Sequence, residues 1–320
     1  MKILKIIGIL LGIALLAIIG FALFINFRGI PHYEAKDPGI TVTGDSAMVA
    51  NGKRLASMLC RDCHYNPATD KFTGRNMTDP ATEQFGTIYS QNITQDKEYG
   101  IGNWTDGQIT WLLRTGILRT GRYAPPYMPK FPHMSDYDLN SIIAFLRSNE
   151  PWVAATAVPD TQPVPSMLTK FLCFIAFKPL SFPAQTIAPP DTTNPVALGK
   201  YIVTGMLDCY PCHSADFKTM NVENPELSKG FMGGGNMVGV NPEGKNMRSA
   251  NLTPDKETGI GSWTADQFVN CLRYGQKPDG TQLSLPMIPL PQLTDKEARA
   301  IYAYLMQLPP ITNKVVNPSN

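Results

Sequence analysis

NITQDKEYGIGNWTDGQ, residues 92–108, is written a second time as NLTPDKETGIGSWTADQ, residues 251–267, and eleven of the seventeen positions are identical. Self-similarity at a fixed offset, here 159 residues, is the mark of a duplicated unit. The block carries local folding instructions. Gly100-Ile101-Gly102 and Gly259-Ile260-Gly261 form turns. Thr105-x-x-Gln108 and Thr264-x-x-Gln267 are capping boxes, so a helix starts in each copy. Trp104 and Trp263 precede the caps, with Ile109 and Phe268 placed to complete a hydrophobic staple.

A further helix opens downstream in each copy, at Met134-Ser135-Asp136 and at Leu293-Thr294-Asp295. Its apolar stripe is Leu139, Ile142, Ile143, Leu146 in the first copy and Ala298, Ile301, Tyr302, Leu305 in the second, at helical spacing. Stripes of this kind are helix-packing faces.

Upstream of each block lies one five-residue pattern: Cys60-Arg61-Asp62-Cys63-His64 and Cys209-Tyr210-Pro211-Cys212-His213. Cys-x-x-Cys-His is the attachment signature for a c-type haem. Residues three apart lie on one side of a helical turn, so both thiols can bond one porphyrin. The following imidazole then ligates the iron. A thiol-exchange pair does not need the histidine, and a zinc site needs further ligands nearby. Six cysteines and four histidines in 320 residues make two chance copies negligible. Two covalently bound haem c groups are expected. The copies are offset by 149 here and by 159 at the repeated block. Ten extra residues therefore fall between them, expected as a longer surface loop around Gly233-Gly234-Gly235.

The offset of 159 also pairs Met128, in Pro125-Pro126-Tyr127-Met128-Pro129, with Met287, in Leu285-Pro286-Met287-Ile288-Pro289. Prolines stiffen such a loop and remove competing donors, which suits holding a thioether on iron. Met128 and Met287 are therefore the expected distal ligands opposite His64 and His213, although methionine is often core filler. Met134 pairs with Leu293 and reads as a packing residue. His133 pairs with Gln292, so a shared ligand role is not expected, and His32 is expected in solvent. Cys173 and Cys271 are expected as buried thiols, or else as a disulfide.

From Ile6 to Ile25 there are twenty residues with no charge and no proline, long enough to cross a bilayer as a helix. Lys2 and Lys5 precede it, which places the N-terminus in the cytoplasm and the body outside. A cleaved signal peptide would have a shorter apolar core and a small-x-small site. The expectation is a single-pass anchor in the cytoplasmic membrane with the haem domains facing the periplasm. The net charge of +2 gives no basic footprint, so no nucleic-acid partner is expected. Residues 150–195 are proline-rich and enclose the apolar run Met167–Phe177. It is too short to span a membrane and is expected between the two halves, or else against membrane or partner.

Together, the two haem motifs, the repeated block and the proline-flanked methionines resemble class I cytochrome c domains. More narrowly, they resemble the multihaem cytochrome subunits of membrane-bound alcohol and gluconate dehydrogenases. The resemblance covers residues from about 45 to 310. It implies an all-α fold of two tandem class I cytochrome c domains with long loops, after one N-terminal transmembrane helix. The expected division is 1–28 anchor, 40–150 first domain, 151–193 linker and 194–312 second domain. It also implies that Cys60, Cys63, His64 and Met128, then Cys209, Cys212, His213 and Met287, hold the two haems. The implied work is electron transfer, without substrate chemistry, between a donor and an acceptor: a dehydrogenase, a quinol-oxidising complex or a terminal oxidase. Those subunits typically carry three haem domains and this chain has two, so a freestanding carrier is as admissible as a dehydrogenase subunit. A diheme peroxidase would need an open iron position with an acid-base group beside it, and neither copy shows a distal His/Glu pair. A haem sensor would need a signalling domain, and none is visible.

Overall fold

The computed structural model describes residues 1–79, 82–241 and 243–317. The chain opens with α1 (Lys2–Arg28), a 27-residue helix. The first copy follows with α2 (Ser46–Leu59), α3 (Arg61–His64), α4 (Asp106–Thr115) and α5 (Asp136–Leu146). A connecting segment holds α6 (Met167–Ile175). The second copy repeats the order with α7 (Pro195–Tyr201), α8 (Tyr210–His213), α9 (Ala265–Tyr274) and α10 (Asp295–Leu305).

The caps stand where the sequence puts them. Thr105 and Thr264 each accept from the backbone N–H three residues on, and Gln108 and Gln267 reach back to the cap. Thr294 and Glu297 close the same box on α10, while Ser135 caps α5 by accepting from Asp138 N. The packing stripes are buried: Leu139, Ile142, Ile143 and Leu146 on α5, and Ala298, Ile301 and Leu305 on α10. Met134 and Leu293 are both fully buried.

In each copy the helix before the cysteine motif crosses the last helix on a glycine. A Cβ on Gly52 would lie 1.8 Å from the Ser141 carbonyl oxygen, and one on Gly199 would lie 1.9 Å from that of Ala300. Only a residue without a side chain lets the backbones meet so closely. The spacing to the cysteines then differs. Gly52 precedes Cys60 by eight residues, whereas Gly199 precedes Cys209 by ten. The second copy absorbs the difference by leaving α7 through a π-helical turn, Ile202–Met206. Such turns accommodate extra residues inside a helix.

Three expectations are corrected. First, the chain is helical but not purely so. β1 (Gly86–Thr87) pairs antiparallel with β2 (Val164–Pro165), and β3 (Met237–Val240) pairs antiparallel with β4 (Asn246–Arg248). Second, Gly233 and Gly234 are buried rather than on a surface loop. Gly74 and Gly234 occupy the same place, each donating its N–H to the carbonyl of its own copy's motif histidine. His64 is ten residues from Gly74 and His213 is twenty-one from Gly234. The extra chain therefore precedes the glycines. It packs inward, with Met220 against the core and the Val222 carbonyl 2.6 Å from His133 Nε2. Third, the apolar run does not separate the two halves. It forms α6, packed on the end of α1 through Phe21–Phe171 and Phe24–Phe174 ring contacts and on the first half through Cys173, Ile30 and Tyr123.

The buried apolar cluster runs unbroken through both halves. Polar contacts reinforce the junction. Tyr201 donates to Asp138 and accepts from the Ser135 N–H, and Arg54 pairs with Glu297 at 2.9 Å. Cys173 and Cys271 are separate buried thiols, and His32 is exposed.

Candidate cofactor sites

α2 ends on Cys60, whose N–H still donates to Ala56 O. The chain then makes one more turn, and the His64 N–H donates to Cys60 O at 2.8 Å. The second copy does the same, with His213 N donating to Cys209 O at 3.1 Å. Each turn therefore brings two thiols and an imidazole together. Cys60 and Cys209 pack against the apolar core, while Cys212 is exposed.

Burial pushes the Cys60 and Cys209 thiols up to about 12, and Cys63 and Cys212 are raised for the same reason. A thiol-exchange pair needs the opposite, a depressed thiol. These buried, raised thiols do not have the character of an exchange pair. Among the described residues, no three His, Cys, Asp or Glu side chains converge as ligands of a bare metal ion.

The histidines are oriented by backbone. His64 Nδ1 donates to the Gln91 carbonyl at 2.8 Å, and His213 Nδ1 donates to the Ala250 carbonyl at 2.9 Å. This fixes the tautomer and leaves Nε2 as the nitrogen able to bind iron. Burial lowers the pKa of both rings against the opposing pull of these carbonyls, so the neutral, ligating form is favoured. The donor set fits a c-type haem: two thiols and one oriented neutral imidazole per turn, beside an apolar core.

Gln91 and Ala250 escaped sequence reasoning, because a carbonyl acceptor has no side-chain signature. One signal was available. Each stands immediately before the repeated block, at the same offset of 159. The block itself holds them in place. Asn92 is buried, accepts from Thr94 N and Thr94 Oγ1, and donates to the Thr156 and Val158 carbonyls. Asn251 does the same toward Thr253 and the Ile311 carbonyl. Each asparagine thus ties the strand bearing the histidine's acceptor to the chain leaving the last helix.

Met128 and Met287 lie on loops hung from α4 and α9 by matching bonds. Ala124 N donates to Gly116 O and Leu283 N to Gly275 O; Phe131 N donates to Leu113 O and Leu290 N to Leu272 O. Within the loops, Met128 N donates to Pro125 O and Met287 N to Ser284 O, each at 3.1 Å. The settings around them differ. Met128 packs on the core, and its loop is tied by Lys130 Nζ donating to the Ala124 and Pro125 carbonyls. Met287 stands between exposed Leu285 and exposed Ile288.

No family model matches the chain. It is 29% identical over 279 residues to the cytochrome c subunit of a quinone-linked alcohol dehydrogenase from Gluconobacter oxydans, covering 83% of this chain and 56% of that protein. It is 28% identical to a gluconate 2-dehydrogenase cytochrome c subunit from Pantoea cypripedii, over 82% of this chain and 60% of that one. It is 27% identical to a diheme cytochrome c-type protein from Cereibacter sphaeroides, over 94% of this chain and 97% of that one. The chain thus spans a little over half the length of the dehydrogenase subunits it matches, and nearly all of the diheme protein. The resemblance read from the motifs agrees with these relatives.

Proposed function

We propose that this chain is a membrane-anchored diheme cytochrome c that passes electrons between redox partners and performs no substrate chemistry of its own. The carrying observation is the duplicated turn, two cysteines and a histidine whose Nδ1 is locked to a backbone carbonyl, at residues 60–64 and again at 209–213. The diheme relative matched over nearly its whole length supports two haems rather than three.

In this reading Cys60, Cys63, Cys209 and Cys212 hold the two haems by thioether bonds, and His64 and His213 supply the proximal nitrogens. Met128 and Met287 supply the distal sulfurs, supported by their matched loops. An iron held between imidazole and thioether supplies a one-electron couple at raised potential. The protein's part is to keep both axial donors in place, so that gaining or losing an electron rearranges little. The two halves, 40–150 and 194–312, are two class I cytochrome c domains joined by 151–193.

α1 is proposed as a retained anchor, with the haem domains on the periplasmic side. Its apolar stretch has a mean hydropathy of 2.9 and is open on nearly every side. Its end is also part of the fold. Ile25 is 1% exposed, and Phe21, Phe24 and Asn26 contact α6. Cleavage would strip α6 of these partners. The relatives named as dehydrogenase subunits favour a dehydrogenase as donor; a quinol-oxidising complex is the alternative donor, and a terminal oxidase is the matching acceptor.

The test is a haem count on the denatured polypeptide. Two porphyrins should remain covalently attached, and the double change Cys60→Ser with Cys63→Ser should leave one. A polypeptide at its bare mass would overturn the reading.

A further inference from the structure

We propose that α6 is a second membrane element, lying in the outer boundary of the bilayer that α1 crosses and holding the first haem half at a fixed attitude on the lipid surface. This rests on the reading of α1 as a retained anchor.

Contacts set the height of α6. The Phe21 and Phe171 ring centroids are 6.2 Å apart, those of Phe24 and Phe174 are 5.8 Å apart, and Lys170 Nζ lies 2.9 Å from Asn26 Oδ1. The helix therefore stands beside the last turns of the apolar stretch Ile6–Ile25. That stretch reaches roughly 30 Å, about the thickness of the hydrocarbon layer. If α1 crosses the membrane, residues level with Phe21 and Phe24 meet its outer edge.

The chemistry of α6 suits that place. Thr169 and Cys173 face the first half and are buried, with Thr169 Oγ1 donating to Phe85 O. Leu168, Phe171 and Ile175 are open, at 40%, 36% and 54% exposure. With half-buried Leu172 they recur at i, i+3, i+4 and i+7, one continuous helical stripe without a charge. Two lysines lie nearby, Lys170 on Asn26 Oδ1 at the end of α1 and Lys178, three residues past the helix, on the Phe174 carbonyl. Such a stripe seats at the boundary of acyl chains and headgroups, where nearby lysines reach anionic headgroups. A nine-residue helix is too short to cross. Lipid is the occupant because the stripe continues the surface of α1, which the bilayer already covers.

The inner face of α6 gives the contact its consequence. Cys173 packs on Tyr123, at the start of the Met128 loop. A helix seated on lipid would thereby be coupled to the start of the first methionine loop.

The test is photocrosslinking in native membranes, using the full chain with p-benzoylphenylalanine at Phe171, at Ile175, at Leu15 within α1, or at exposed Tyr137 as a control. Irradiation should raise the mass of the Phe171, Ile175 and Leu15 variants by one phospholipid and leave the Tyr137 variant unchanged. Lipid adducts at Leu15 alone, or protein adducts at Phe171 and Ile175, would overturn this proposal while leaving the anchor intact. No lipid adduct at Leu15 would overturn the anchor reading, and this proposal with it.

Discussion

His133 of the first half reaches into the second, with its Nε2 2.6 Å from the carbonyl oxygen of Val222. Val222 lies in the stretch between His213 and Gly234, where the second copy holds its extra residues. The duplication is therefore not two independent units side by side. One copy has grown a segment that grips the other.

Removing the grip should cost stability without touching either haem ligand. A hydrogen bond from a half-buried ring to a carbonyl contributes about 1 kcal/mol. His133→Ala should lower the free energy of unfolding by about that amount, and somewhat more where the lost ring leaves a gap. Denaturant unfolding checks this. Both haem spectra should remain those of the parent protein.

The histidine acceptors can be displaced through the glycines that support them. Gly74 and Gly234 have φ of 77° and 67°, and a Cβ would lie 2.2 Å from Ser90 O and 2.4 Å from the Ala250 carbonyl carbon. Gly74→Ala or Gly234→Ala must push that strand away, at a cost of about 1–3 kcal/mol. A histidine that loses its Nδ1 acceptor is a less basic ligand and donates less charge to iron. The reduction potential of the affected haem should rise. Potentiometric titration should show one of the two waves moving in each variant.

Much of this was legible in the sequence, and the rest was hidden for definable reasons. The capping boxes at Thr105 and Thr264, the stripe from Leu139 to Leu146 and the cysteine turns are local, and local rules found them. Gly52 and Gly199 were not found, because a lone glycine in a helix reads as a penalty until the crossing helix is known. The β1–β2 pair joins Gly86–Thr87 to Val164–Pro165, two residues against two from far along the chain, and leaves no periodic trace. The run around Phe171 was recognisable as apolar, but its partner Phe21 lies in a segment read on its own as a membrane span.

The methionines give a direct chemical test. If Met128 and Met287 close both distal positions as proposed, the reduced protein should bind carbon monoxide poorly. Met128→Ala should open one site per chain, Met287→Ala one, and the double variant two. Carbon monoxide titration followed by absorbance counts them. Rapid binding to both reduced haems of the parent protein would mean that neither loop supplies a ligand.

Asp208 carries the last prediction. It directly precedes Cys209, has φ of 48°, and buries Oδ1 without a hydrogen-bond partner. Burial holds its carboxyl well above the usual value of 3.8. The sign follows from linkage. A carboxyl whose folded pKa is raised keeps its proton longer in the folded state than in the unfolded one, so stability falls as pH climbs above about 3.8 and through the folded value. Asp208→Asn cannot ionise, and asparagine tolerates a left-handed backbone well. The variant should unfold at higher temperature than the parent at pH 8, by a margin worth about 1 kcal/mol or more. That margin should shrink as the pH is lowered toward 4. Thermal unfolding across that range decides it: a margin independent of pH would mean that Asp208 ionises as readily in the folded chain as in the unfolded one, so that burial does not raise its pKa.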